Sequence, residues 1–174
     1  MAKRRSLPLL LPPASPRPSD VVVVESTYGD RRHEKSTDED LEAVVRRTIA
    51  RGGTCLLPAF AVDRTPVVLM TLARLQDEGR IPEVPVYVDS PMALHALDVY
   101  RDAVGRGDSE VRPQAVAGGM RLPRDLRLVP DAEGSARLNR PRHPCIIVSA
   151  SGMATGGRVL HHLAEQLPEA RNSV

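Results

Sequence analysis

Aromatic side chains are nearly missing from this sequence: its 174 residues include no Trp, one Phe and three Tyr. Any core must therefore be built from Val, Leu, Ile, Ala and Met. The chain also lacks the aromatic platform on which proteins commonly stack unpaired bases. Cysteine is almost as scarce. Cys55 and Cys145 each sit in an apolar, strand-like run, without a CxxC partner or a neighbouring His. That context predicts buried structural thiols in a reducing compartment, hence a cytoplasmic protein. No stretch approaches the ~20 apolar residues of a membrane span. The leucines after Met1-Ala2-Lys3-Arg4-Arg5 mimic a signal peptide, but Pro8 interrupts them and Pro12-Pro13 closes them, which argues against one. Charge of one sign hardly prevails: 24 Lys plus Arg face 22 Asp plus Glu, a net of +2. Such a balance carries no general nucleic-acid signature and leaves only a local footprint open.

What remains is the balance of a folded domain, 41% hydrophobic and 26% charged, in a length that suits one core. Residues 1–19, rich in Pro, Arg and Ser, read as a tail or the end of a connection. Residues 20–174 read as the domain. Val21 to Val24 form an uninterrupted β-branched run, as in a strand covered on both faces. A helix is predicted from about Thr37, with Asp38, Glu39 and Asp40 at its positive end, closing at Gly52-Gly53. Further strands are predicted at Thr54–Leu57, Val86–Val88, Leu126–Val129 and Cys145–Ser149. Between them lie a helix capped by Asp63, one capped by Ser90 and opened by Pro91, and a short one around Ala132–Leu138. A last helix spans about Gly157–Leu167. Residues 104–125, broken by Gly and Pro, are expected to form a long loop. This alternation predicts an α/β fold: a Rossmann-like parallel sheet with helices on both faces.

Ligands of such sheets sit at the carboxyl ends of the strands. The strongest local pattern there is Ser149-Ala150-Ser151-Gly152-Met153-Ala154-Thr155-Gly156-Gly157-Arg158. Small residues lead a buried strand into a helix start, where free amides and the helix dipole favour an anion. Ser151, Gly152, Met153, Gly156, Gly157 and Arg158 are thus candidate phosphate contacts. Neither a Walker lysine nor a dinucleotide spacing is present. A tight ligand-free turn also accounts for the pattern. Ser90 and Arg64 are further candidates, against the plainer readings of a helix cap and a solvated cation. Glu25 ends an apolar run, so its carboxylate needs water or a partner. Glu25, Asp30 and His33 do not make a convincing metal set, because Arg31 and Arg32 oppose the cation and no second His is near. The adjacent His161 and His162 diverge by about 100° on a helix and cannot share one ion.

Four of these stretches, in order, resemble the motifs of one family. Val21-Val22-Val23-Val24-Glu25-Ser26-Thr27-Tyr28-Gly29-Asp30-Arg31 comes first, then Leu57-Pro58-Ala59-Phe60-Ala61-Val62-Asp63-Arg64-Thr65. Tyr87-Val88-Asp89-Ser90-Pro91-Met92-Ala93 follows, and then the glycine-rich stretch continued through Val159-Leu160-His161-His162-Leu163. Wording and order resemble the β-CASP domain of metallo-β-lactamase-fold ribonucleases, which include the eukaryotic mRNA 3′-end processing endonuclease. The resemblance spans roughly residues 20–174. It implies a domain that closes over RNA, inserted in a metallo-β-lactamase domain where two zinc ions activate water. Partners would be RNA and that domain, with a homodimer as a further arrangement and no membrane. Glu25 matches the family's acidic residue, which orients a histidine; that histidine and the His-x-His-x-Asp-His zinc cluster are not in this sequence. The chain alone is thus expected to hold no zinc and to be inactive. Asp63 and Pro66 depart from the family's usual Gly and Gln. Two alternatives stay open: a small nucleotide-binding α/β module using the glycine-rich loop, and an inactive remnant.

Overall fold

A computed structural model describes residues 9–31 and 37–174. Thr37 opens helix α1 (Asp38–Ala50) through a reciprocal cap: its side chain accepts from the Asp40 N–H, and the Asp40 carboxylate accepts from the Thr37 N–H at 2.8 Å. With Asp38 and Glu39 this places three acids where the helix dipole favours them. Gly52 ends the helix at φ +74°, and at Gly53 a Cβ would lie 1.8 Å from the Arg171 carbonyl oxygen. Only glycine fits there.

Strand β1 (Thr54–Pro58), helix α2 (Arg64–Asp77), strand β2 (Val86–Asp89) and helix α3 (Pro91–Arg106) follow. Ser90 caps α3 by accepting from the Ala93 N–H at 3.2 Å, with Pro91 in the first position. The expected loop over 104–125 is only partly a loop. Helix α3 runs on to Arg106 before Gly107 stops it at φ +65°, and Pro113 opens a short helix α4 (Pro113–Gly118). Both are held by burial of Val104, Val111 and Ala115 around Leu9, with Leu10 bridged to Val111. Strand β3 (Leu126–Leu128), helix α5 (Ala132–Arg137), strand β4 (Cys145–Ser149) and helix α6 (Val159–Gln166) complete the order.

The four strands are all parallel, in the order β1-β4-β2-β3. Register aligns residues in rows: Cys55, Ile146 and Val86; Leu56, Ile147 and Tyr87; Leu57, Val148 and Val88; Pro58, Ser149 and Asp89. Successive rows face opposite sides, as the pleat requires. Cys55, Val86, Val88, Ile146 and Val148 pack under Val45 of α1, Leu69 and Leu72 of α2, and Leu97 of α3. Leu56, Cys145 and Ile147 pack with Leu138 and Val159 on the α5–α6 side. Both faces are therefore covered, each large aliphatic contributing about 1.5–3 kcal/mol. Cys55 and Cys145 are free thiols, 0% and 1% exposed. Burial pushes them up to about 12 and about 11, well above the range in which thiols react.

One expected strand is not part of this sheet. Val21 to Val24 belong to no strand or helix and are 78, 70, 94 and 71% exposed. A buried strand needs a ladder neighbour, and beside β1 that place is taken by Ser173. Its N–H donates to the Thr54 carbonyl at 3.0 Å, and its carbonyl accepts from the Leu56 N–H at 2.8 Å. Among the described residues no helix is long and apolar enough to cross a membrane.

Candidate functional site

Parallel register brings three strand exits to one rim. Pro58, Ser149 and Asp89 share the last row, and the chain stitches it further: the Ala59 N–H donates to the Ser149 carbonyl at 3.0 Å and the Ser149 hydroxyl to the Asp89 carbonyl at 3.2 Å. Beyond this row the β4 exit passes under the β1 exit. A Cβ on Gly152 would lie 2.7 Å from the Phe60 ring, so any other residue there must push that half-exposed ring aside. The loop then coils tightly, with Ala154 at φ +51° and Gly157 at φ +77°, before α6 begins. Ser151, Gly152 and Gly156 are half-buried, while Met153 and Gly157 are exposed.

Behind the rim lies a fully buried carboxylate. Asp89 Oδ1 accepts from the Arg158 guanidinium at 2.8 Å, and Oδ2 from the Ser135 hydroxyl and His162 Nε2, each at 2.6 Å. Arg158 also donates to the carbonyls of Val129 and Pro130. Burial alone would push the Asp89 carboxyl up, but hydrogen bonds from His162, Ser135 and Arg158 outweigh it and hold it below the usual carboxylate range. Three chain segments, the end of β2, α5 and the start of α6, thus meet at one anion. The His162 Nδ1 on the far side of the ring is buried and has no hydrogen-bond partner among the described residues.

The candidates named from the sequence fall into three groups. Gly152, Met153, Ser151, Gly156 and Gly157 form the rim loop as expected. Ser90 is buried and used as the α3 cap, and Arg158 turns inward to Asp89 rather than out toward a ligand. Arg64 opens α2, exposed. Glu25 ends no strand of the sheet: its segment is open chain, and its carboxylate accepts from the Thr27 N–H at 2.7 Å. Side-chain and backbone hydrogen bonds from Thr27 lower its pKa. His33 lies outside the described residues. Among the described residues no three His, Cys, Asp or Glu side chains gather as a metal set. His161 is exposed and His162 buried, the divergence that helical spacing requires.

Asp63 explains its own departure from the family pattern. It sits at φ +60°, ψ −50°, with the Arg64 N–H donating to the Val62 carbonyl at 2.7 Å. That is a three-residue turn which glycine enters freely and other residues enter under strain. The Asp63 carboxylate does not cap α2; it accepts from the Tyr100 hydroxyl instead.

Two features escape the sequence reading. Phe60, the single Phe of the chain, is 52% exposed at the rim, and Val62, Met92 and Met153, on the turns that follow the same three strands, are exposed as well. Its rarity and its place just after a strand were the available signals. The Asp89–His162 contact joins residues 73 apart and had no local sign beyond the acid ending an apolar strand.

Residues 66–174 match the Beta-Casp domain family model. Over 173 residues, 98% of this chain, it is 36% identical to a ribonuclease of Thermus thermophilus, of which it covers 40%. It is 30% identical over 161 residues to the transcription termination factor FttA of Methanosarcina mazei, covering 89% of this chain and 25% of that protein. With the cleavage and polyadenylation specificity factor 73 of Drosophila melanogaster it shares 29% identity over 150 residues, 84% of this chain and 21% of that one. The chain thus spans two fifths or less of these relatives. With a four-stranded parallel sheet, helices on both faces and a model match over more than half its length, this chain belongs to the Beta-Casp domain family.

Proposed function

We propose that this chain holds RNA for a ribonuclease and does not cut RNA by itself. The observation that carries the reading is the rim. Three strand exits, a glycine loop with open amides and the exposed Phe60 and Met153 lie together on one edge, suited to a sugar-phosphate chain with unstacked bases. Phosphodiester cleavage would come from a metallo-β-lactamase domain carrying two zinc ions, in the part of its relatives' length that this chain does not span. Val21–Val24 support such a partner. Four exposed β-branched side chains in one uninterrupted run suit insertion as a strand into another sheet, which would carry Glu25 to that domain's metal ligands. The names of the relatives, a ribonuclease and RNA-processing or termination factors, support the RNA reading.

The test is fluorescence anisotropy of a labelled single-stranded RNA with the purified chain, beside a cleavage assay in added zinc. Binding without cleavage is expected, with Phe60→Ala weakening it roughly fivefold to a hundredfold, about 1–3 kcal/mol for one stacked base. RNA cleavage by the pure chain, or binding unaffected by Phe60→Ala together with Met153→Ala, would overturn the reading.

A further inference from the structure

The glycine loop itself offers no free charge, since Arg158 is turned inward. Charge is gathered elsewhere. Residues 121–143 contain six arginines against three acids, while the whole chain has 24 basic and 22 acidic residues. The rest of the sequence is therefore net negative. Four of those arginines, Arg127, Arg137, Arg140 and Arg142, line a groove of about 1200 Å³ on the α5–α6 side of the sheet. Its floor is apolar, with Tyr87, Leu128 and Cys145.

The cations are available in different degrees. Arg142 and His143 make no ion pair or side-chain hydrogen bond among the described residues. Arg137 is paired with Glu133 at 2.6 Å and Arg140 with Glu165 at 2.7 Å, on side chains 68% and 83% exposed. Exposed pairs of that kind hold weakly and exchange for a phosphate, which accepts two guanidinium donors at once. Arg127 is fixed differently. Asp125 grips it through two bonds of 2.7 and 2.8 Å, and its guanidinium lies 5.5 Å from the Tyr87 ring centre, half-exposed. A guanidinium plane held in that way is a surface on which a base stacks. The groove also meets the rim: Val129 and Pro130, which line its end, accept hydrogen bonds from Arg158 at the close of the glycine loop.

We propose that this groove is a second seat for single-stranded RNA, taking the strand on from the glycine loop. Arg140, Arg142 and His143 contact its phosphates, and the Arg127–Tyr87 stack receives a base. The inference rests on the RNA reading of the rim for the identity of its ligand. A free mononucleotide would use the same stack and one phosphate contact, but it would leave most of the arginine row idle.

The experiment uses the full chain and a labelled oligouridylate, titrated over a series of KCl concentrations. Arg140→Ala/Arg142→Ala is expected to weaken binding roughly tenfold at low salt and to flatten the log–log salt slope by about 1.4, near 0.7 for each lost phosphate contact. Arg142→Glu alone serves as a second variant, and thermal melts check that each is folded. Arg47→Ala/Arg106→Ala, on other surfaces, controls for loss of charge in general. Groove variants that overlay wild type while Phe60→Ala loses affinity would overturn the groove and leave the rim standing. The reverse pattern would support the groove and sink the rim. An equal loss in the control variant, or displacement of RNA by polyglutamate at equal charge concentration, would show only a cationic surface and overturn the proposal. No binding at all would end both.

Discussion

Two valine runs in this chain are each followed by an acid and a serine. Val21–Val24 lead to Glu25-Ser26; Val86-Tyr87-Val88 lead to Asp89-Ser90. By composition the first is the better strand, yet it lies open to water while the second is a central strand with Val86 and Val88 at 0% exposure. The difference is neighbours. β2 is flanked by β4 and β3, and its terminal acid is met by three donors from residues far along the chain. The first run has no ladder partner among the described residues, so its acid meets only Thr27. β-Propensity measures fitness for a pleated, packed surface, and it does not say whether this chain supplies that surface.

The largest effect that would test the contrast is removal of the Asp89 carboxylate. Asp89→Ala would leave the Arg158 guanidinium and the His162 ring buried without their anion, a loss of about 3–5 kcal/mol. Urea unfolding followed by circular dichroism measures it. A loss under about 1 kcal/mol, within the ordinary scatter of point variants, would mean that the buried network does not hold the rim. Acid should show the same asymmetry. Because the folded Asp89 carboxyl titrates below its unfolded value of 3.8, its contribution is complete above that pH. The contribution is lost as pH falls through the lower folded value. Asp89→Asn should flatten the acid limb of the stability profile, whereas Glu25→Gln, fully exposed, should leave it in place.

A middle effect concerns the crossing of β1 and β4 exits. Gly152→Val puts new atoms into the Phe60 ring and should cost about 1–3 kcal/mol as overpacking. Phe60 is half-exposed and can swing away, so Phe60→Ala in the same chain should return most of that loss. A double-mutant cycle with no coupling would show that the two turns do not touch in solution.

These cases also mark what could be read beforehand. The caps at Thr37–Asp40 and Ser90–Pro91, the stops at Gly52 and the alternation of strands and helices were legible, because each depends on residues within a turn or two. The glycine loop was legible for the same reason. The direction of the Arg158 side chain was not, since its partner lies 69 residues away. The concern over an acid ending an apolar strand was physically sound but attached to Glu25, when Asp89 is the one that is buried. Residues 104–125 read as loop because Gly and Pro break the periodicity, although packing against Leu9 supports helix through Arg106.

The smallest expected effect is the sharpest test of the open run. Val22→Ser/Val24→Ser replaces two β-branched side chains that are 70 and 71% exposed. In the isolated chain these removals should shift Tm by no more than the error of the melt, for little apolar area leaves water there on folding. If the run is a strand of a companion sheet, the same pair should matter once that sheet is supplied. Co-purification of the chain with the separately expressed remainder of the Thermus thermophilus ribonuclease, the part this chain does not span, should fall at least tenfold for the double variant while a Val99→Ser control, exposed on α3, remains as wild type. A double variant that melts early on its own would place the valines in this chain's core and return the first run to the same class as β2. Unchanged capture would instead leave the run without a structural use, and the contrast between the two acids would then be one of accident rather than of a missing neighbour.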